Sequence, residues 1–260
     1  MDTGTHFVIG LGLGGLALVD PVIASDPYGP IAVLIGTVAG SNAPDLDSAL
    51  RMKSNADYIK NHRGLSHSLP AIAVWTALIT AVVGLLFRTV PWWHIALWVL
   101  LAVVVHVATD LTNAYGAQAL RPFSKRWIAF SFIHSFDPFI FAMHLLALAL
   151  WIAGLAAPAA IFPALYAVLI IYFVWRASER RRLQRRLPRI DPEWREGDRY
   201  SALPTLSLHR WNVVKLSDDG GYAVGRTDSG QLTWVDRLRC DRLVAVDASA
   251  EHPDVRAFLA

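Results

Sequence analysis

The chain has 260 residues, of which 54% are hydrophobic and 17% are charged, and its formal net charge is +3. Soluble globular domains carry roughly 25% charged residues, so this balance predicts a membrane protein. The small positive charge does not indicate nucleic-acid binding, because the basic residues cluster beside apolar segments. Cys240 is the only cysteine, which excludes an intrachain disulfide and zinc sites of the CxxC type.

Six apolar segments are candidates for membrane spans, which need about 17 to 25 residues. Taken in chain order, they are 7–24, 31–43, 69–87, 92–109, 139–157 and 161–175. The first is interrupted by Asp20 and Pro21, and the second is short enough to be a half-span or a tilted helix inside a bundle. We therefore expect a mainly α, polytopic helical membrane bundle with about five to six membrane segments and a small C-terminal β domain.

Basic residues lie in alternate loops and so predict the orientation. They occur in 41–68, in 111–138 and after the last segment, whereas the other loops contain almost none apart from Arg88. Basic loops stay in the cytoplasm. The pattern predicts a multi-pass protein of the bacterial inner (plasma) membrane with cytoplasmic N- and C-termini.

The composition changes after the last apolar segment. Residues 1–176 form the predicted helical transmembrane domain, 177–199 a basic juxtamembrane helix or linker, and 200–260 a small cytoplasmic β module. Short strands are predicted over 211–216, 222–227 and 231–235. Turns at Asp218-Asp219-Gly220-Gly221 and Asp228-Ser229-Gly230 separate them.

Histidine and aspartate residues collect on the predicted cytoplasmic side of the helices. They are His6, Asp45, Asp47, His62, His67, His106, Asp110, His134 and Asp137. Without cysteine, such a set suits zinc, manganese or iron, and its size allows more than one ion. The other histidines are weaker candidates, because they lie on the opposite side, inside the fifth segment or in the tail. They are His94, His144, His209 and His252.

Each pattern in this set has a structural alternative. The spacing of four puts His106 and Asp110 on one helix face, where they can bind an ion or simply hydrogen-bond two helices together. Asp45 and Asp47 can supply a ligand and a general base, or cap a helix. Arg63, beside the histidines of 62–67, can clamp a phosphate or serve only as a topogenic charge.

The ordered combination resembles a known family. The motifs are His6, Pro44-Asp45-Leu46-Asp47, His62-Arg63-Gly64-Leu65-Ser66-His67-Ser68, His106-Val107-Ala108-Thr109-Asp110, Asn113-Ala114-Tyr115-Gly116, Arg121-Pro122-Phe123-Ser124 and Asp137-Pro138. They are similar to those of the LexA-regulated, inner-membrane-bound, metal-dependent hydrolase family over roughly residues 1–175. A more distant similarity is to the helical zinc phospholipase C and nuclease group, from which the chain departs in lacking a clear second His-xxx-Asp/Glu helix.

The resemblance implies a hydrolase with a divalent metal ion, of which zinc is favoured and manganese or iron are alternatives. Its implied ligands are His6, Asp45, His62, His67, His106 and Asp110. Asp47 or Asp137 would be the base or support a ligand, and Arg63 would neutralise charge in the transition state. The expected partners are membrane lipid and a small-molecule or lipid phosphoester substrate, with no nucleic acid.

Two other functions compete with the hydrolase. In a non-catalytic membrane scaffold, the His/Asp cluster would hold helices together and the β module would bind a partner protein. A small transporter is a third possibility, but the polar residues lie at helix ends rather than in the middle of the bilayer.

Overall fold

The computed structural model describes residues 1–228, 230–239, 249 and 251–259. Its α-helices are α1 (Thr3–Leu16), α2 (Pro21–Ser25), α3 (Gly29–Gly40), α4 (Asn55–Asn61), α5 (Leu69–Leu86), α6 (Trp92–Thr112), α7 (Pro138–Ile152), α8 (Pro158–Ile190) and α9 (Pro253–Leu259). Short 3-10 helices cover Ala17–Val19, Ala43–Met52 and Leu65–His67. The expectation of a mainly helical protein is confirmed.

Three of the described helices, α5, α6 and α8, are long and apolar enough to cross a membrane. The apolar segments Thr3–Val19, Gly29–Gly40 and Pro138–Ile152 are shorter. The first predicted segment breaks at Asp20, whose side chain accepts a hydrogen bond from the Val22 N–H and so caps α2. The predicted total of five to six membrane segments stays a prediction.

Helix α6 lies between two apolar clusters of the bundle. Ala102 belongs to the cluster that joins α1, α7 and α8, and Val103 belongs to the cluster formed with α3 and α5. Leu97 on this helix is 54% exposed, but the side with Ala102 and Val103 is buried because of these contacts. The next turns of α6 carry His106 and Asp110, which are fully buried for the same reason.

Helix α1 approaches α3 closely through small residues. A Cβ atom at Gly10 would lie 2.8 Å from Cα of Val38, and one at Gly14 would lie 2.5 Å from Cδ1 of Leu34. Glycine at these two positions lets the backbones come together. The close packing brings the start of α1, with His6, beside the chain that follows α3.

The C-terminal β module is a four-stranded antiparallel sheet in the order β1-β2-β3-β4. Its strands are β1 (Arg199–Pro204), β2 (Trp211–Leu216), β3 (Gly221–Asp228) and β4 (Gln231–Arg239). The three predicted strands are present, and β1 is an additional strand that ends at a proline, where an edge strand tolerates one. Ser229 of the predicted second turn and 240–248, with Cys240, lie outside the described residues.

The sheet packs against the C-terminal part of α8, beyond residue 176. The helix runs without a break past residue 176, so the predicted juxtamembrane segment is helical up to Ile190. Nε of Arg180 donates to the carbonyl oxygen of Ala202 at 3.1 Å. Leu187 and Trp211 share an apolar cluster at the same contact.

Candidate metal centre

Four elements bring the histidines and aspartates together at one end of the bundle. His6 comes from α1, and Asp45 from the 3-10 helix Ala43–Met52. His67 ends the 3-10 helix Leu65–His67, and one turn of α6 supplies His106 and Asp110. These segments are distant in sequence, and the sequence alone gives no distances between them.

One ligand atom from each of Asp45, His67, His106 and Asp110 lies within 4.8 Å of all the others. Nε2 of His67 is 3.1 Å from Nε2 of His106. Oδ1 of Asp45 is 3.6 Å from both nitrogens. Oδ2 of Asp110 is 3.0 Å from Nε2 of His67 and 3.7 Å from Nε2 of His106. The four groups therefore surround one small volume.

The hydrogen bonds of the other ring nitrogens assign the tautomers. Nδ1 of His106 lies 2.7 Å from the carbonyl oxygen of Ser41, which can only accept. Nδ1 of His67 lies 2.9 Å from Oγ of Ser66, whose own proton goes to Asp47. Both Nδ1 atoms therefore donate, and in neutral rings both Nε2 atoms present lone pairs to the shared volume.

The neutral ring of His67 and an unpaired carboxylate oxygen of Asp45 also fit a bound cation. Burial lowers the pKa of His67 to about 4, so its ring is neutral at neutral pH. Among the described residues, Oδ1 of Asp45 is buried without a hydrogen-bond partner. Two facing lone pairs and an unpaired carboxylate oxygen are the donor set of a divalent metal ion.

His6 lies on the far side of Asp110. Its Nε2 is 3.3 Å from Oδ1 of Asp110, and its ring stacks on His106 with centroids 3.8 Å apart. The terminal amino group of Met1 forms an ion pair with Oδ1 of Asp110 and lies 2.8 Å from Nε2 of His6. Asp110 thus directs one oxygen toward His67 and His106 and the other toward His6, as a carboxylate between two cations does.

Asp47 and His62 lie at the outer side of the cluster. Asp45, Asp47 and His62 form a second group whose ligand atoms converge. Oδ1 of Asp47 is 2.7 Å from Nδ1 of His62, and its Oδ2 accepts from Ser66 and from the Arg63 N–H. Burial raises the pKa of Asp47, but these hydrogen bonds outweigh it and keep the pKa below its usual range. Asp47 is therefore an anion that orients His67 through Ser66.

The side chain of Arg63 is buried against Asp110. Its Nε is 3.1 Å from Oδ2 of Asp110, and its Nη2 donates to the carbonyl oxygen of Met1 at 3.0 Å. The residue has a φ of 60°, which is uncommon outside glycine and is retained only where the surroundings enforce it. The guanidinium lies inside the cluster, and its predicted role toward a phosphate stays a prediction.

The structure does not bring His134 or Asp137 into the cluster. Oδ1 of Asp137 accepts from the N–H groups of Phe139 and Ile140 and so caps α7, while Oδ2 accepts from the Tyr172 hydroxyl at 2.7 Å. His134 bonds to the backbone of Phe136. The contacts of Asp137 are those of a helix cap, and its predicted catalytic role gains no support from them.

Two contributors to the site were missed from the sequence. They are the Ser66 hydroxyl and the Ser41 carbonyl, which fix the tautomers of His67 and His106. The position of Ser66 directly before His67 was a usable signal. A backbone carbonyl leaves no mark in the sequence, so the role of Ser41 was not predictable.

Comparison with known proteins agrees with this organisation. The chain is 42% identical over 262 residues to a protein of Bacillus subtilis (strain 168) described as "Uncharacterized protein YfhP", a match that covers 100% of this chain and 79% of the relative. No solved structure matches the chain significantly. Residues 1–183, which contain the whole cluster, match the family described as YdjM inner membrane protein. The chain therefore belongs to the YdjM inner membrane protein family.

Proposed function

We propose that the protein is a metal-dependent hydrolase that acts on a phosphoester or lipid-linked substrate at the cytoplasmic face of the membrane. The observation that carries the proposal is the convergence of Asp45, His67, His106 and Asp110 with both Nε2 lone pairs directed inward. The hydrolytic activity and the LexA regulation implied by the family resemblance are parts of the same proposal.

The proposed ligands of the ion are Asp45, His67, His106 and Asp110, with zinc favoured and manganese or iron as alternatives. His6 and His62 lie on opposite sides of this set, and each is proposed to bind a further ion, His6 together with Asp110 and His62 together with Asp45. These residues would hold a divalent cation, which would supply polarisation of a phosphoryl oxygen and a nucleophilic water near neutral pH.

The chain's own residues hold and shape the site. Asp47 keeps the proton of Ser66 directed away from His67, so that Nδ1 of His67 donates and its Nε2 stays available. Arg63 compensates part of the negative charge of Asp110 and is proposed to stabilise the charge that develops on a phosphoryl group.

The surroundings of the cluster suit a substrate in the membrane. His67, His106 and Asp110 have fully buried side chains, whereas Asp45 and His62 are 14% and 22% exposed, so the approach is from their side. Large apolar side chains are exposed along the same side. They are Leu46, Met52 and Leu65. An apolar rim around a polar site is typical of surfaces that contact lipid.

The proposed topology follows from the basic loops and the helices. Loops rich in lysine and arginine flank the cluster on both sides, and α8 continues into a basic helix that carries the sheet. We infer a multi-pass protein with cytoplasmic N- and C-termini. The candidate metal centre then faces the cytoplasmic leaflet.

A non-catalytic scaffold is the second candidate, and one observation favours it. Asp110 already pairs with Arg63 and with the Met1 amino group, so the cluster joins α1, α6 and the 62–67 segment without a metal ion. In this alternative the β module would bind a partner protein. Substitution of a cluster residue would then destabilise the bundle, and neither the wild type nor the variant would show catalytic turnover.

The test is hydrolysis of bis(p-nitrophenyl) phosphate and of phospholipid in mixed micelles by purified protein, with added zinc or with chelator. We expect metal-dependent turnover that falls at least about 100-fold in Asp110→Asn, since even supporting residues of metal sites contribute 10- to 100-fold. Asp20→Asn is the matched control, because Asp20 also pairs with a histidine, His94, at 2.5 Å but lies outside the cluster. Equal activity in wild type and Asp110→Asn, or none with any metal, would support the scaffold.

A further inference from the structure

His144 on α7 is a buried histidine outside the candidate metal centre. Its side chain has no exposed surface, and its Nδ1 lies 2.8 Å from the carbonyl oxygen of Ile140. A carbonyl oxygen only accepts, so Nδ1 carries the proton and Nε2 carries a lone pair. Among the described residues Nε2 has no hydrogen-bond partner. The ring thus offers one acceptor that this part of the chain does not use.

His144 lines an apolar cavity of about 350 Å³ between α1, α6, α7 and α8. The volume falls in the range of small-molecule sites, about 300 to 1,000 Å³. Its apolar walls include Ile9, Val105, Leu169 and Phe173. Such a cavity suits a hydrocarbon chain, and the histidine is the group in it that lacks a partner.

The hydroxyl groups in the cavity wall are already committed to backbone carbonyls. Thr109 donates to His106 at 2.9 Å and Thr112 donates to Thr109 at 2.7 Å. Tyr166 donates to Ile9 at 3.3 Å. These protons are used elsewhere, so a donor for His144 has to come with the occupant of the cavity.

Helix α1 passes close to the imidazole at Gly12. A Cβ atom at Gly12 would lie 2.9 Å from Cδ2 of His144 and 3.4 Å from Nε2. Any larger residue at this position would press against the ring. The glycine therefore lets α1 pack directly against the imidazole.

The outer rim of the cavity faces the bilayer rather than water. It is bounded by α6 and α8, both of which are long enough to span the membrane. On α8, Ile170 and Val174 line the cavity and are 64% and 62% exposed. An unsatisfied polar group is costly in hydrocarbon, where no water can replace the missing donor.

We propose that the cavity binds a neutral lipid with a long apolar chain and one free hydroxyl group, which donates a hydrogen bond to Nε2 of His144. The chain lies along the apolar wall of the cavity. Lipids without a donor, such as a phosphatidylcholine, match the wall but not the acceptor. The proposal does not depend on the hydrolase activity, because His144 is not part of the metal centre.

The experiment compares two probes that differ only in the donor: 1-hexadecanol and its methyl ether, 1-methoxyhexadecane. Binding of each labelled probe is measured on the full chain in phosphatidylcholine nanodiscs, with empty nanodiscs subtracted. We expect the alcohol to bind about tenfold more tightly, the effect of one hydrogen bond of average strength. In His144→Phe the preference should disappear, while in the control His94→Phe, at a buried histidine outside the cavity, it should remain.

A second measurement keeps the proposal testable if His144→Phe does not fold. In protein with ¹⁵N-labelled histidine, the Nε2 resonance that belongs to His144 should shift on adding the alcohol and not on adding the ether. Equal binding of the two probes by wild type, a preference that survives in folded His144→Phe, or an unmoved Nε2 resonance would each overturn the proposal.

Discussion

Two buried clusters of charged residues in this chain are built in opposite ways. In the β module, Nζ of Lys215 donates to Asp191 at 2.8 Å, to Asp198 at 2.7 Å and to the carbonyl oxygen of Glu193 at 2.7 Å. All three ammonium protons are therefore used. The second oxygen of Asp191 accepts from the Trp234 indole and the Glu193 N–H.

The candidate metal centre lacks such matching between donors and acceptors. His67 and His106 turn lone pairs toward each other at 3.1 Å, and Oδ1 of Asp45 has no hydrogen-bond partner in the described part of the chain. The guanidinium of Arg63 pairs with Asp110 and leaves this part of the cluster uncompensated.

The difference separates a structural network from a binding site. In the Lys215 network the cation pairs with both carboxylates, and although Oδ1 of Asp198 has no hydrogen-bond partner among the described residues, such a network stabilises the fold by itself. Acceptors that converge with no donor among them are stable together only around a cation. Substitutions in the first cluster should therefore change stability alone, and substitutions in the second should change metal binding.

The largest effect on stability is expected for Lys215→Met. Removal of the ammonium leaves Asp191 and Asp198 facing each other, and breaking a buried ion pair costs about 3 to 5 kcal/mol. Amide hydrogen exchange in β2 and β3 should accelerate accordingly, while metal content stays unchanged. The control Arg210→Met removes an exposed pair with Asp228 and should cost less than about 1 kcal/mol.

A smaller effect is expected when a divalent ion is added to the wild type. Binding to the folded state at about 100 times the dissociation constant stabilises it by about 2.7 kcal/mol. Thermal unfolding in detergent with zinc or with chelator measures this difference. His67→Ala should show no difference, and His94→Ala, outside the cluster, should behave as the wild type; equal protection of His67→Ala would contradict the assignment.

Asp47→Asn should weaken metal binding without removing a proposed ligand of the first ion. The amide of the variant would be a neutral acceptor and would hold Ser66 and His62 less strongly than the Asp47 carboxylate does. Loss of such support for a metal ligand lowers the metal affinity by about 10- to 100-fold, or about 1.4 to 2.7 kcal/mol. Competition with a chelator of known affinity measures the change. Asp45→Asn should weaken binding more, and the reverse order would show that Asp47 is the ligand.

The smallest effect is the acid sensitivity of the β module. Burial raises the pKa of Asp191, but hydrogen bonds from Lys215, Tyr200 and Trp234 outweigh it and lower that pKa to about 2. In the unfolded chain an aspartate has a pKa of about 3.9. The stabilisation is therefore present above about pH 4 and is lost as the pH falls through about 2; we expect about 1 to 2 kcal/mol.

Pepsin cleavage of the module between pH 4 and pH 2, normalised to an unstructured peptide, measures this loss. Asp191→Asn should be cleaved faster at pH 4 and show a flatter dependence on pH, whereas the exposed control Asp228→Asn should follow the wild type. An unchanged profile in Asp191→Asn would remove Asp191 as the source of the acid sensitivity.

Much of the architecture was predictable from the sequence. The long apolar segments become α5, α6 and α8, and Asp20-Pro21 ends the first segment as expected. The alternating residues 211–216 become β2. Strand β1 was missed because its polar and proline-containing sequence gives no alternating pattern, and its position depends on packing against α8.

The site was predictable as a set of residues but not as an arrangement. The spacing of His106 and Asp110 fixes a common helix face, and the structure places Asp45 and His67 beside them. Asp137 shared the predicted side of the membrane with them, yet it caps α7 instead. Topology predicts only the membrane face on which a residue lies, and the choice among residues on one face depends on tertiary contacts.

Elemental analysis of purified protein tests the central claim most directly. Wild type, His106→Ala/Asp110→Ala and Lys215→Met are purified without chelator and dialysed against zinc. We predict about one or more ions per chain in wild type and in Lys215→Met, and none in the double variant while it remains folded. If the wild type holds no more metal than the folded double variant, the cluster is not a metal centre and the scaffold becomes the better account.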